Sequence, residues 1–259
     1  MLDSRIRTGA GVLPSRRLVL TFDDGPGLTT GAGPGPRTRE LGQYLAEERI
    51  PATFFMCGKH IAEQPDMPAE LMALGHHIGN HTWSHRSLLS LDSESIQREV
   101  LSTRQLLTEC GVGGPIAFRP PFGEWDSRVS AAMRANEQIR VGHDAVFLWN
   151  VNADDWRSWD HGAAPDDCAR SYESAALAAD SGIVLMHDSL ADDGPHAARR
   201  RAANRTLEAV MLLVPRLRAQ GFTFIPLSQV ERQSPRQRAL RGIRSIEARV
   251  RASADRVWR

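Results

Sequence analysis

The pair Asp23-Asp24 closes the apolar run Leu18–Phe22, and far downstream His81 and His85 stand four residues apart. One carboxylate and two imidazoles can together hold a divalent metal ion, and a second carboxylate beside them can take a proton from water activated there. That is a hydrolase site in outline. Taken alone, adjacent Asp residues after a strand most often make a turn, because Asp favours Asx-turns and helix caps, and Gly25 and Pro26 would then merely end the strand. The histidines change that weighting. If His81-Thr82-Trp83-Ser84-His85 opens a helix, both imidazoles fall on one face and reach a single ion.

Three more segments place polar groups where apolar runs stop. Phe118-Arg119-Pro120-Pro121-Phe122-Gly123 offers a cation and a rigid turn that could aim a backbone N–H outward, while Trp149–Trp156 ends a strand in carboxylates followed by an indole. Ile183-Val184-Leu185-Met186-His187-Asp188 ends a buried-looking strand in a histidine. Each has an ordinary explanation: a surface arginine, a core tryptophan, a satisfied strand-end histidine. Five such ends in one chain are hard to explain as decoration.

The elements that must position these groups show in the periodicity. Leu18–Phe22, Ala52–Met56, His77–Gly79, Ala145–Val151, Gly182–Met186 and Phe222–Pro226 have strand length and strand composition. Between them, helical spacing runs through Arg37–Glu48, Met67–Leu74, Ser93–Cys110, Ser127–Arg134, Asp167–Ala179 and Asn204–Gln220, with Ser93 as the expected N-cap of the third. Alternating strand and helix predicts an α/β protein with a mainly parallel sheet or barrel, whose functional groups gather at the C-terminal strand ends. Two loops flank the expected site, Pro26–Pro36 and Asp188–Arg201.

Bulk properties narrow the class. The chain has 259 residues, enough for one large domain with a sizeable core, and a formal net charge of +1, so the whole is not an obvious nucleic-acid binder. Cys57, Cys110 and Cys168 are odd in number and far apart, which predicts reduced thiols and no cysteine metal site. Residues 1–17 hold four arginines without an apolar core, and no later run approaches the roughly 18 apolar residues of a membrane span, so a soluble cytoplasmic protein is expected.

In this order, TFDDGP, HTWSH, RPPFG, DDW and LMH resemble the polysaccharide deacetylases of carbohydrate esterase family 4, the chitooligosaccharide deacetylase homology family. The likeness runs from about Leu18 to Leu227 and includes Ala52–Phe55, Gly75–Asn80 and Gly221-Phe222. It implies a distorted (β/α) barrel of about seven strands as a single domain over 18–228, with 1–17 as an extension. It also implies one divalent ion, zinc before cobalt or nickel, held by Asp24, His81 and His85. By the same resemblance Asp23 would be the general base, held by Arg119, and His187 the general acid, oriented by Asp155. Trp156 and Leu185 would line an acetyl pocket, and the Phe122 N–H would donate to the oxyanion. The implied substrate is an N-acetylated amino sugar, chitooligosaccharide-like or lipid-linked, with a formyl group, a small amino-sugar metabolite, or a catalytically silent carbohydrate-binding relative as alternatives.

The chain departs from the family pattern in places. Asn152 stands where an Asp is common, and Pro26–Pro36 and the stretch from Ser127 to Val146 look long, which puts substrate choice in question. Residues 229–259 form a basic tail: nine Arg against Glu231, Glu247 and Asp255 give +6, leaving −5 for the rest. After Pro235, Leu240, Ile243, Ile246, Val250, Ala254 and Val257 recur near helical spacing, a pattern open to packing on the barrel or to peripheral membrane or protein contact.

Overall fold

The apolar run before the Asp pair becomes a strand buried along nearly its whole length, Arg17–Asp23, as expected of a strand covered on both faces in a parallel sheet. The structure, a computed structural model, describes residues 3–29, 33–191, 194 and 196–231. Its strands are β1 (Asp3–Arg7), β2 (Arg17–Asp23), β3 (Ala52–Met56), β4 (His77–Asn80), β5 (Ile116–Phe118), β6 (His143–Phe147), β7 (Gly182–His187) and β8 (Thr223–Phe224). They form one eight-stranded sheet in the order β1-β6-β5-β4-β3-β2-β7, with β8 beside β2. Every named pairing is parallel.

The sheet curls because a short segment beyond β6 reaches β7. Val151 bridges Val184, and the Leu185 N–H donates to the Val151 carbonyl at 2.9 Å. Asn150 completes the contact: its amide donates to Ser181 O at 2.9 Å and its Oδ1 accepts from Ile183 N–H at 3.0 Å. Gly182 is required there, since a Cβ at that position would sit 2.0 Å from Asn150 Oδ1. Around the curl lie helices α1 (Thr38–Glu47), α2 (Gly58–Glu63), α3 (Met67–Ala73), α4 (Ser93–Glu109), α5 (Ser127–Ala135), α6 (Glu137–Gly142), α7 (Asp155–Asp160), α8 (Pro165–Ala179), α9 (Ala197–Ala202), α10 (Thr206–Ala219) and α11 (Ser228–Glu231). The core between sheet and helices includes Phe22 and Phe54, stacked at 5.2 Å. Burying each such ring is worth roughly 1.5–3 kcal/mol.

The distorted barrel and its parallel sheet are as expected, and four local expectations change. The sheet has eight strands, because β1 pairs with β6 from within the supposed N-terminal extension and β5 has only three residues, too few to show a pattern. The cap of α4 is Asp92, whose extended backbone lets its side chain take the Ser95 N–H at 2.7 Å, so Ser93 is already helical. Strand β6 ends at Phe147, and Asp155 begins α7 instead of ending a strand. The segment His81–His85 is not helical, since Thr82 and His85 take left-handed φ values of 68° and 61°. Among the described residues, no helix is long and apolar enough to cross a membrane. The tail positions from Leu240 to Val257 lie outside the described residues.

Candidate active site

Strand register brings the chemistry-bearing residues to one end of the sheet. Asp23 stands opposite His187 across β2 and β7, and Asn80 stands opposite Phe118 across β4 and β5, so His81 and Arg119 leave adjacent strands as neighbours. At Asp24 the backbone turns left-handed, with φ 75°, and the two consecutive carboxylates part company. Asp24 goes to the histidines. Its Oδ1 lies 3.4 Å from His81 Nε2 and 3.2 Å from His85 Nε2.

That atom is the best test of whether these side chains suit a metal ion. Asp24 Oδ1 is buried and accepts no hydrogen bond, whereas Oδ2 accepts from Ala191 N–H at 3.0 Å. One donor atom from each of Asp24, His81 and His85 lies within 4.8 Å of the others. The two short separations match the about 3.3 Å edge of a tetrahedron whose corners lie ~2.0 Å from a central ion. His81 is also set in the right tautomer: its Nδ1–H donates to the Arg119 carbonyl at 2.7 Å, which leaves Nε2 with a lone pair on the Asp24 side. The residues therefore fit a divalent cation. Burial pushes the Asp24 carboxyl up, but His85 first, then His81 and His187, outweigh it and hold it well below the usual carboxylate range.

Two ion pairs flank this cluster. Asp23 Oδ1 accepts from Arg119 Nη1 at 2.6 Å, and its Oδ2 lies 3.6 Å from His81 Nε2. Arg119 is fully buried and also donates to Thr21 Oγ1, Phe147 O and Leu148 O. On the opposite side Asp155 accepts twice from one residue, from His187 Nδ1–H and from the His187 backbone N–H, both at 2.7 Å. Burial alone would lower the His187 pKa, but the Asp155 carboxylate, with Asp24 and Asp23 behind it, pushes it up to about 10. The pairing with Asp155 thus favours the protonated imidazolium.

Over these groups opens a cavity of about 340 Å³ lined by Asp23, Asp24, His81, His85 and His187 together with Leu185, Trp156 and Phe122. All ten sequence-predicted site residues meet here, with Arg119 and Asp155 just beneath the lining. Phe122 is 55% exposed, has φ 59° and holds its ring 4.7 Å from that of His85. The sequence reading missed Trp149, Asp154, Leu190 and Arg200, which also line the cavity. It missed two buried supports as well. His60 Nδ1–H donates to the Asp24 carbonyl at 2.6 Å, and Asp188 accepts from the Thr38 hydroxyl beneath the β2 turn. With Oδ1 unpartnered and burial dominant, the Asp188 carboxyl rises to about 7. Nothing in spacing marks such residues, because a backbone carbonyl is available at every position.

The family profile of polysaccharide deacetylases matches residues 10–138. A chitooligosaccharide deacetylase of Rhizobium leguminosarum bv. trifolii is 32% identical over 218 residues, covering 83% of this chain and 91% of the relative. The chain belongs to the polysaccharide deacetylase family. Solved structures share its architecture. The family 4 carbohydrate esterase from Streptomyces lividans in complex with acetate superposes with a TM-score of 0.62 at 25% identity, over 83% of this chain and 94% of the esterase. The Bc1960 peptidoglycan N-acetylglucosamine deacetylase gives 0.66 at 23% identity, over 88% of this chain and 94% of that one, a likeness of fold. Within this polysaccharide deacetylase, the Asp-His-His cluster and both ion pairs occupy the C-terminal ends of the strands.

Proposed function

We propose that the protein is a metal-dependent hydrolase that removes the acetyl group from an N-acetylated amino sugar, releasing acetate and a free amine. The observation that carries this is Asp24 Oδ1, buried, without a hydrogen bond and flanked by two imidazole nitrogens, beside one carboxylate and one imidazolium that face the same cavity. Asp24, His81 and His85 would hold the ion, zinc by preference, whose Lewis acidity lowers the pKa of water from about 15.7 towards about 7. The identity of the relative as a chitooligosaccharide deacetylase supports an oligosaccharide substrate of that kind.

The protein's own groups then have complementary tasks. Asp23, aimed by Arg119, takes the proton of the attacking water. The Phe122 N–H donates to the oxygen that gains charge, and one such donor is typically worth about 3–4 kcal/mol. His187 enters protonated and delivers its proton to the leaving nitrogen, so that the amine departs as a stable molecule. Asp155 holds that ring through Nδ1, leaving Nε2 towards the cavity. Leu185 and Trp156 form the apolar wall for the acetyl methyl.

The test is acetate release from N-acetylglucosamine oligomers, monomer to pentamer, followed by mass spectrometry. Release that stops with a chelator and returns with zinc or cobalt is expected. Full activity of a metal-free preparation would overturn the mechanism, and no release from any acetylated sugar would overturn the substrate.

A further inference from the structure

The loop between the two histidines has an unusual set of hydrogen bonds. Three consecutive backbone N–H groups, those of Thr82, Trp83 and Ser84, are all committed to side-chain acceptors. Thr82 N–H goes to Asn80 Oδ1 at 2.9 Å, whereas Trp83 N–H at 3.0 Å and Ser84 N–H at 2.8 Å both go to Glu99 Oε2. Glu99 Oε1 takes the Ser84 hydroxyl at 2.6 Å. One carboxylate from the middle of α4 therefore gathers three donors from the segment that joins His81 to His85.

The other side of the loop is held by backbone. Gly58 N–H donates to Thr82 O and Lys59 N–H to Trp83 O, both at 3.0 Å, so the first turn of α2 and the side chain of Glu99 grip the loop from opposite faces. The grip opposes a conformational cost. Thr82 sits at φ 68°, in the left-handed region that a β-branched residue avoids, and His85 follows at φ 61°. Without acceptors for these N–H groups, the loop would relax to ordinary φ values and its histidines would separate from Asp24. The side-chain hydrogen bonds of Glu99 go to Trp83 and Ser84, within the loop itself.

We propose that Glu99 is a positioning residue for metal binding: by gathering the Trp83 and Ser84 donors it holds His81 and His85 on Asp24 before any ion arrives. The inference rests on the reading of Asp24, His81 and His85 as the metal-holding set. Because the role is geometric, it makes opposite predictions for two conservative changes. Glu99→Gln keeps an acceptor oxygen at the same reach and loses the charge. Glu99→Asp keeps the charge and withdraws the carboxylate by about 1.5 Å.

The experiment titrates metal-free protein with Zn²⁺ in competition with a chromophoric chelator, without any sugar, beside thermal unfolding of each metal-free variant. Glu99→Asp and Glu99→Ala should bind Zn²⁺ about 10–100-fold more weakly, the range typical of lost outer-sphere support, while Glu99→Gln stays within about threefold of wild type. If Glu99→Ala does not fold, the Asp and Gln pair decides alone. Affinity restored by Asp but not by Gln would show that charge matters and overturn the positioning role. Unchanged affinity with a lowered unfolding temperature would show a purely structural role and overturn it too. Because no substrate is present, a protein that binds Zn²⁺ in this Glu99-dependent way yet releases no acetate would sink the deacetylase reading and leave this inference standing.

Discussion

The two ion pairs of the site are mirror images in their division of labour. In the pair under β2 and β5, the carboxylate of Asp23 faces the cavity and its cation, Arg119, is 0% exposed. In the pair under β7 and α7, the cation of His187 faces the cavity and its carboxylate, Asp155, is 0% exposed. In both the deeply buried member is the anchor, and it spends its remaining capacity on fixed neighbours: Arg119 on Thr21 Oγ1 and two carbonyls, Asp155 on the His187 backbone. The difference lies in what can titrate. An arginine stays charged at any working pH, so it fixes geometry without adding a second titration, whereas the histidine keeps a transferable proton. That contrast is what the proposed division into a base, Asp23, and an acid, His187, rests on.

The comparison breaks first at Asp23. Asp23→Asn should lower kcat by about 10²–10⁴, the usual worth of a general base, with Zn²⁺ affinity kept within about tenfold. Steady-state kinetics beside metal titration would show it, and wild-type turnover would remove Asp23 from its role. Next comes its anchor. Arg119→Met leaves a carboxylate buried without its cation and should cost about 3–5 kcal/mol in denaturant unfolding, and a loss below about 1 kcal/mol would mean the pair is not the anchor described.

The acid side is sharpened through pH. The His187 pKa rises in the folded protein from its ordinary 6.5 to about 10. A raised histidine stabilises the fold fully below pH 6.5 and loses that contribution as pH climbs through about 10. Asp155→Asn should flatten that slope in unfolding experiments and move the alkaline limb of kcat/KM down by more than about one pH unit. A limb that stays in place would assign the acid elsewhere. The smallest effect belongs to Asp188, a buried carboxyl without a cation partner among the described residues, whose pKa rises from 3.8 to about 7. A raised carboxyl costs stability as pH rises across that interval, so Asp188→Asn should gain about 1 kcal/mol over the wild type at pH 8 and little at pH 4. Equal stability at both values would show that Asp188 has a counter-charge after all.

The deep strands were legible because burial on both faces demands apolar residues in unbroken runs, as in Leu18–Phe22 and Ala52–Met56. Strand β5 was hidden by its length, and β1 by a sequence, Asp3–Arg7, with no such run. The working side chains were legible by type and by their place at strand ends, and the resemblance assigned Phe122, Trp156 and Leu185 their places around the cavity. The backbone shape between His81 and His85 was not, since Thr82 is a β-branched residue that ordinarily avoids left-handed φ. That shape is held by acceptors at Asn80 and Glu99 and by donors at Gly58 and Lys59, which no spacing within the motif announces.

The join beyond β6 has a mechanical consequence. Between Phe147 and β7 the ring is closed by the bridge of Val151 to Val184, by backbone hydrogen bonds of Asn150 and Val151 to Ile183 and Leu185, and by the side chain of Asn150 lying over Gly182. Asp23 ends β2 and Arg119 follows β5, both in the continuously paired arc of staves, whereas Asp155 and Trp156 open α7 a few residues after the clasp. The wall that carries Trp156 is thus tied to the sheet by a few backbone hydrogen bonds and the side chain of one asparagine. Asp23 depends on none of those ties, being paired along β2 on both sides.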